Sequence, residues 1–283
     1  MNNSTSTEST EPSNNRVIDR SKAQTEDLST TLGDNPGVVT LSLTATSTPP
    51  EFLHLYSALE NNGLDIDGPS SVAFNGLAQD GLSQDRPFVL GVTSAIPGEG
   101  KTTTATHLAL TMALNSYKRI CLMDFSLSEN SYEDVAGRLG LYAISPELDE
   151  AQRAGIIDVL EERAQTLPTF QMSDPENLTV VPRGGASKRP AKIARSPRIR
   201  QLLSSARHAF DVIIVDLPAV STENALPLAK HCDGVLLVVQ AGTTPRDIVQ
   251  RAIDVLGKDR VVGVALNRQK ISIPGWLVRL LRL

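Results

Sequence analysis

The sequence is poor in aromatic residues and has no excess of positive charge. Phe, Trp and Tyr make up 4% of the 283 residues, too few for a base-stacking platform or a membrane aromatic belt. The net charge of -5 at pH 7 argues against nucleic-acid binding over the whole surface. No apolar stretch reaches the roughly 18–20 residues that cross a bilayer. We therefore expect neither a nucleic-acid partner nor a membrane span.

Cysteine and targeting signals are also scarce. Cys121 and Cys232 lie in or beside apolar runs, which is typical of small core residues rather than of a metal site. The segment from Met1 to Ser13 has neither a basic nor an apolar region, so no secretory signal is expected. These features predict a cytoplasmic protein.

Composition divides the chain into four stretches. Residues 1–48 are rich in Ser, Thr, Asn and Glu without an apolar period, and this predicts a disordered tail. Residues 49–86 should form a helix over Glu51–Asn61 and then a linker. Residues 87–270 should form the main domain, and residues 271–283 an amphipathic C-terminal tail.

The main domain alternates apolar runs with helical stretches. The runs are Phe88–Thr93, Ile120–Asp124, Leu178–Pro182, Val212–Asp216, Gly234–Gln240 and Val261–Asn267. Short continuous runs of this kind indicate strands covered on both faces. The helical stretches are Thr102–Asn115, Arg198–His208, Glu223–His231 and Thr244–Leu256. The alternation predicts a three-layer α/β domain with a mostly parallel sheet, whose ligand lies beyond the carboxyl ends of the strands.

The segment after the first predicted strand has the pattern of a phosphate-binding loop. The letters AIPGEGKT follow the general pattern G-x-x-x-x-G-K-[ST], apart from the alanine at its first position. Glycines let successive amide N–H groups point at an anion, and the following helix adds its positive end. Lys101 would contact the outer phosphates of a nucleotide, and the Thr102 hydroxyl would bind Mg²⁺. The predicted binding set is Ala95, Pro97, Gly98, Glu99, Gly100, Lys101, Thr102 and Thr103.

Two predicted strands end in a carboxylate at the edge where this loop lies. Asp216 ends the run VIIVD, as in a Walker B strand, and Asp124 ends the run ICLMD. Asp216 is expected to hold Mg²⁺ together with Thr102, and Asp124 to act as a base or a second metal contact. Lys101, Asp124 and Asp216 are the predicted catalytic residues.

Together these motifs resemble the bacterial tyrosine kinases of capsule and exopolysaccharide synthesis, the CpsD/CapB and Wzc-cytoplasmic-domain type. The matching segments are Pro97–Thr102, Ile120–Asp124, Phe210–Pro218, Gly234–Thr244 and Gly263–Asn267. The resemblance implies ATP and Mg²⁺ as cofactors, assembly into a homo-oligomer, and a membrane polysaccharide co-polymerase as the partner that completes the nucleotide site. It also implies that Asn267 lies near the adenine base.

Four departures from that family indicate an atypical or catalytically weakened member. Its second acidic motif is roughly D-x-D-x-R, and Ser126 and Ser128 replace the second acid and the arginine. Its N-terminal helix commonly has E-x-x-R-x-x-R, of which only Glu51 is kept. Its N-P-x-E-L-L segment appears as Arg189–Ala194, with a basic residue in place of the acid. No tyrosine lies after Tyr142, so tyrosine autophosphorylation of a tail is not expected.

Two other functions stay open at this point. One is a non-catalytic, nucleotide-dependent switch that signals to the same partner. The other is a MinD-like, membrane-associated ATPase. The ParA/MinD loop has the pattern K-G-G-x-G-K-[ST], and Ile96 stands in place of its extra lysine, which favours the kinase group.

Two segments outside these motifs have patterns of their own. Arg183–Arg200 holds seven basic residues and no acid, which predicts either a solvated face or a surface for an acidic partner. In the tail, Pro274 precedes an apolar run from Trp276, with Arg279 and Arg282 on a narrow polar edge. That pattern predicts a peripheral contact with the inner membrane or a membrane partner, or a last helix packed on the domain's own core.

Overall fold

The computed structural model describes residues 31–32, 38–44, 49–61, 87–127, 154–165, 167 and 169–268. Nine strands of these residues form one sheet: β1 Thr31–Leu32, β2 Val38–Thr44, β3 Phe88–Ser94, β4 Ile120–Asp124, β5 Thr169–Asp174, β6 Leu178–Val181, β7 Val212–Asp216, β8 Gly234–Gln240 and β9 Val261–Asn267. The helices are α1 Pro50–Asn61, α2 Lys101–Asn115, α3 Ile156–Leu160, α4 Pro190–Ala194, α5 Pro197–Ala209, α6 Ala225–Ala229 and α7 Arg246–Leu256.

The sheet has the order β1-β2-β5-β6-β4-β7-β3-β8-β9. The six strands from β6 to β9 along this order are all parallel, and they are the six predicted from the sequence. β5 is antiparallel to β6 and parallel to β2, and β1 is antiparallel to β2. The predicted α/β fold with a mostly parallel central sheet is confirmed.

The central strands are buried on both faces, which is why the sequence shows them as continuous apolar runs. In β3, Val89 belongs to the core on one face of the sheet, and Leu90 and Val92 belong to the core on the other. The second of these cores is closed by α2 and α1, where Tyr56 and Leu59 are buried. Burying a side chain of this size stabilises the fold by about 1.5–3 kcal/mol.

The N-terminal helix predicted over Glu51–Asn61 is present as α1, and it packs on α2. The rings of Phe52 and His107 stack with their centroids 4.7 Å apart. α2 begins directly after Gly100. The helix that packs against α1 is therefore the helix that follows the predicted phosphate loop.

The structure differs from the sequence prediction at two places in the sheet. Residues 1–48 were predicted to be disordered, but within them Thr31–Leu32 and Val38–Thr44 are strands. The letters VVTLSLT of β2 are rich in residues that favour strands, and this local pattern is hidden by the polar composition around it. β5 was not predicted, because its letters TFQMSD form no continuous apolar run.

Several predictions fall outside the described residues. These are the rest of the 1–48 tail, the linker over residues 62–86, Ser128, Tyr142 and the amphipathic tail 271–283. Within the described residues, no helix has both the length and the apolar character needed to cross a membrane. Cys121 and Cys232 are free thiols in the core, as predicted, and burial raises the pKa of Cys232 to about 12.

Candidate functional site

The predicted phosphate loop lies between the end of β3 at Ser94 and the start of α2 at Lys101. Gly98 and Gly100 have φ angles of +87° and +93°, a backbone region that residues other than glycine rarely adopt. Gly100 is also the residue before α2, and no side chain of the described residues caps that helix start. The N–H groups of the first turn of α2 are therefore free of the side-chain acceptor that helices commonly have at this position. A phosphate group is the kind of ligand that such a loop accepts.

The buried carboxylate of Glu99 stabilises this conformation of the loop by accepting hydrogen bonds. Its side chain is 1% exposed. One carboxylate oxygen, Oε2, accepts a hydrogen bond from the Ile96 amide at 2.9 Å. The other, Oε1, accepts from the Gln240 amide at 3.0 Å and from the Thr244 hydroxyl. Glu99 is one of the predicted nucleotide-binding residues, and its carboxylate joins the phosphate loop to the end of β8.

Lys101, Thr102 and Asp216 are brought together as the sequence predicted. The Thr102 hydroxyl donates to Asp216 Oδ2 at 2.7 Å. The Lys101 ammonium group lies 3.7 Å from Asp216 Oδ1 and 3.3 Å from Thr102 Oγ1. Asp216 is fully buried. A hydroxyl and a carboxylate in contact at the mouth of a phosphate loop form the oxygen donor set that Mg²⁺ prefers.

Asp124 stands beside Asp216 because their strands are neighbours. The two residues are register partners in the parallel pair β4–β7, and both are fully buried. Asp124 Oδ1 accepts hydrogen bonds from the Ser126 amide, at 2.8 Å, and from the Ser126 hydroxyl. The residue that replaces the family's second acid is therefore a direct partner of the first.

Arg183 reaches the same edge from the end of β6. Its Nη1 atom lies 3.4 Å from the carbonyl oxygen of Ser126. The backbone of Arg183 is fixed by a hydrogen bond from the Ile157 amide to its carbonyl at 2.9 Å. Sequence reasoning placed Arg183 only in a basic stretch. Arg183 directly follows the predicted strand Leu178–Pro182, and Asp124 and Asp216 likewise stand at the ends of strands. This shared position could have indicated Arg183 as a site residue.

The loop after Arg183 is held by a second carboxylate that sequence reasoning missed. Asp158, in α3, accepts hydrogen bonds at Oδ2 from the amides of Gly155 and Gly185, each at 2.9 Å. Its Oδ1 atom pairs with Arg163 at 3.1 Å. This network ties the start of α3 to the turn that follows β6, and so it fixes the direction in which the chain leaves the site.

Asn267, predicted to lie near a nucleotide base, contacts the phosphate loop directly. Its Nδ2 atom donates to the carbonyl oxygen of Glu99 at 2.8 Å, and its Oδ1 atom accepts from the Arg268 amide at 2.8 Å. A Cβ atom added to Gly100 would overlap the Asn267 amide. Base recognition by Asn267 stays a prediction.

The remaining predicted residues are arranged along the loop. Ala95 is buried, Pro97 is exposed, and Thr103 is partly exposed in the first turn of α2. The described residues hold no cluster of three or more His, Cys, Asp or Glu side chains that could bind a metal alone. P-loop proteins hold Mg²⁺ with one hydroxyl, one carboxylate and phosphate oxygens, and the sequence predicts Thr102 and Asp216 for the two protein ligands.

The basic stretch is mostly on the surface. Six of its seven cations are exposed, and Arg183 is the one that is partly buried. Arg198 pairs with Glu162. Exposure of this kind fits both a solvated face and a surface for an acidic partner, and both interpretations stay open.

Comparisons with known proteins identify relatives of this chain among the P-loop proteins. The family model for ParA (NUBPL iron-transfer P-loop NTPase) matches residues 87–275. The chain is 30% identical over 195 residues to the tyrosine-protein kinase CpsD of Streptococcus pneumoniae serotype 4, across 68% of this chain and 81% of that protein. It is 31% identical over 197 residues to the succinoglycan biosynthesis transport protein ExoP of Rhizobium meliloti, across 68% of this chain but only 23% of ExoP.

Solved structures give the same fold. The kinase domain of VpsO matches with a TM-score of 0.58 at 24% identity, across 78% of this chain and 97% of that domain. At this identity the match speaks for the fold alone. The family model and the sequence matches show which family the chain belongs to.

Proposed function

Because the chain belongs to the ParA-type P-loop NTPases and, among them, to the CpsD-type bacterial tyrosine kinases, we propose that it binds ATP with Mg²⁺ and is a tyrosine-kinase-like regulator of exopolysaccharide or capsule synthesis. The observation that carries this proposal is the contact of Lys101 and Thr102 with the buried Asp216 at the mouth of the phosphate loop. The names tyrosine-protein kinase, for CpsD, and succinoglycan biosynthesis transport protein, for ExoP, support the pathway.

The chain's own residues divide the work of nucleotide binding. Backbone N–H groups of the loop and of the first turn of α2 bind phosphate oxygens, and Lys101 contributes the positive charge. Thr102 and Asp216 hold Mg²⁺. When bound, Mg²⁺ neutralises charge on the outer phosphates. Glu99 keeps the loop curled by accepting from Ile96, so the N–H groups need no rearrangement when the nucleotide binds.

Asp124 is the proposed base for a tyrosine hydroxyl, and its surroundings favour a slow reaction. A base needs a carboxylate oxygen within hydrogen-bond reach of the proton that it removes. In this chain both the amide and the hydroxyl of Ser126 donate to Oδ1 of Asp124, so this oxygen is already engaged. This contact is the specific reason to keep a second function in view, a nucleotide-dependent switch that does not transfer phosphate.

The partner is proposed to be a membrane polysaccharide co-polymerase whose cytoplasmic loop completes the nucleotide site. The family relationship supports this choice, and it also supports a homo-oligomer. Residues 274–283 would add a peripheral contact with the inner membrane, since Trp276 and four leucines accompany Arg279 and Arg282 in that short segment.

Replacing Lys101 by Met tests the nucleotide site. We expect ATP affinity, measured by calorimetry with Mg²⁺, to fall about 10- to 100-fold, because a charge-assisted contact is lost. Lys258→Met is the matched control, since Lys258 is exposed and precedes β9, at the end of that strand opposite Asn267 and the loop. Unchanged ATP affinity in Lys101→Met would refute the assignment of the loop.

Phosphotyrosine formation separates the kinase from its alternatives. Phosphotyrosine that appears with ATP, Mg²⁺ and the partner, and disappears in Lys101→Met, supports the kinase. ATP binding without phosphotyrosine or hydrolysis supports the switch. ATP-dependent binding to liposomes that requires residues 274–283 supports a MinD-like ATPase instead.

A further inference from the structure

A concave pocket lies between α5 and the segment after α6, away from the nucleotide site. Its volume is about 430 Å³, and its lining residues are Arg200, Leu203, Ser204, Arg207, Lys230 and His231. Arg207 and His231 precede β7 and β8 respectively, so this pocket is at the amino ends of the strands. The phosphate loop follows the carboxyl end of β3. A strand of five to seven residues is roughly 16–23 Å long, so the pocket and the loop are separate sites.

The charge of the pocket is positive. Arg200 and Lys230 are exposed, and neither makes an ion pair with any of the described residues. Arg207 is the exception. It pairs with Asp233 at 2.7 Å and donates to the carbonyl oxygen of Pro87. Asp233 is thereby engaged, and none of the described residues that line the pocket carries a carboxylate.

His231 reports the same positive field. Its pKa is lowered, first because burial removes the ring from water and second because the charge of Arg200 opposes its protonation. An anion bound in the pocket would raise the pKa of His231, because its negative charge would favour the protonated ring. Leu203, on the same side of α5, gives the pocket one apolar wall.

We propose that this pocket binds a small phosphate monoester. Its volume of about 430 Å³ is in the range of small-molecule sites, about 300–1,000 Å³. A phosphate monoester is largely a dianion at neutral pH, which matches the two cations that have no ion-pair partner among the described residues. The planar guanidinium of Arg200 suits bidentate phosphate contact, and Lys230 suits a point contact. The carbon part of the ester would rest on Leu203.

Glucose 1-phosphate is a suitable probe, with the phosphate loop first saturated by ADP and Mg²⁺. Binding is followed by calorimetry and by the ring proton signals of the four histidines, with the His231 signal assigned from His231→Gln. We expect a saturable heat and a shift confined to the His231 signal. In Arg200→Ala/Lys230→Ala we expect the affinity to fall about tenfold or more, because two charge-assisted contacts are lost.

Arg251→Ala/Lys258→Ala is the matched control, because it removes the same charge from exposed positions outside the pocket. We expect it to bind the probe like the unmodified chain. Probe binding that is equal in both double variants would overturn the proposal, and so would the absence of any heat or His231 shift in the unmodified chain. Urea unfolding of both variants verifies their folding, and this check does not depend on the proposed nucleotide site.

Discussion

Replacing Glu99 by Gln tests whether a buried carboxylate shapes the phosphate loop. The substitution keeps the size of the side chain and changes one oxygen to an NH₂ group. Glu99 accepts from Ile96 at one oxygen, and from Gln240 and Thr244 at the other. A glutamine amide has a single oxygen, so it cannot accept on both sides.

The better orientation of the introduced glutamine keeps its oxygen toward Gln240 and Thr244 and turns its NH₂ group toward the Ile96 amide. One hydrogen bond to a charged acceptor is then lost, and two donors face each other in a buried place. A loss of this kind costs about 1.5–3 kcal/mol, a large share of the roughly 5–15 kcal/mol that stabilises a domain. ATP affinity should also fall, by up to about tenfold, because the loop must then be ordered on binding.

Urea unfolding gives the loss of stability, and calorimetry with ATP and Mg²⁺ gives the loss of affinity. Glu223→Gln is the control, since Glu223 is an exposed glutamate and its charge change is the same. If Glu99→Gln unfolds at the same urea concentration and binds ATP as tightly as the control does, the carboxylate does not hold the loop and this reasoning is refuted.

Two more predictions concern backbone strain and pH. Gly100→Ala should weaken ATP binding more than Gly98→Ala does: both glycines have positive φ, but only a Cβ at Gly100 meets another side chain. Calorimetry with ATP compares the two, and equal losses would contradict the steric argument. Asp211→Asn should lower the free energy of unfolding by about 0.5–1 kcal/mol at neutral pH, since the partner Arg119 lowers the pKa of the Asp211 carboxyl. That stabilisation is present above the ordinary pKa of 3.8 and is lost as the pH falls through the lower, folded-state pKa. Urea unfolding at a series of pH values should therefore show the variant and the unmodified chain converging in acid, and a constant difference would count against the pair.

Sequence reasoning succeeded where the local pattern was complete within one segment. The six parallel strands were predicted because each is buried on both faces and is therefore apolar throughout. α3 and α4, five residues each, were missed because a segment that short shows less than two helical turns of period. β2 was missed because its strand pattern lies inside a polar stretch.

The site was predicted in part for the same reason. The loop and the two strand-end acids are each recognisable in one short segment, and the parallel topology brings them together. The clamp made by Glu99 could not be predicted, because its partner Gln240 is 141 residues away. Asp158 likewise accepts a hydrogen bond from the Gly185 amide, 27 residues away. The sequence between the two residues does not indicate which amides will donate to Asp158.

The pairing of Asp124 with Asp216 has a consequence for substitutions at the site. Their separation is set by the hydrogen-bonded backbones of two neighbouring strands, and not by the side chains around them. Ser126, by contrast, follows the strand and contributes nothing to that pairing. A substitution at position 126 is therefore expected to change the contacts of Asp124 while the strand pairing that places Asp124 beside Asp216 stays the same.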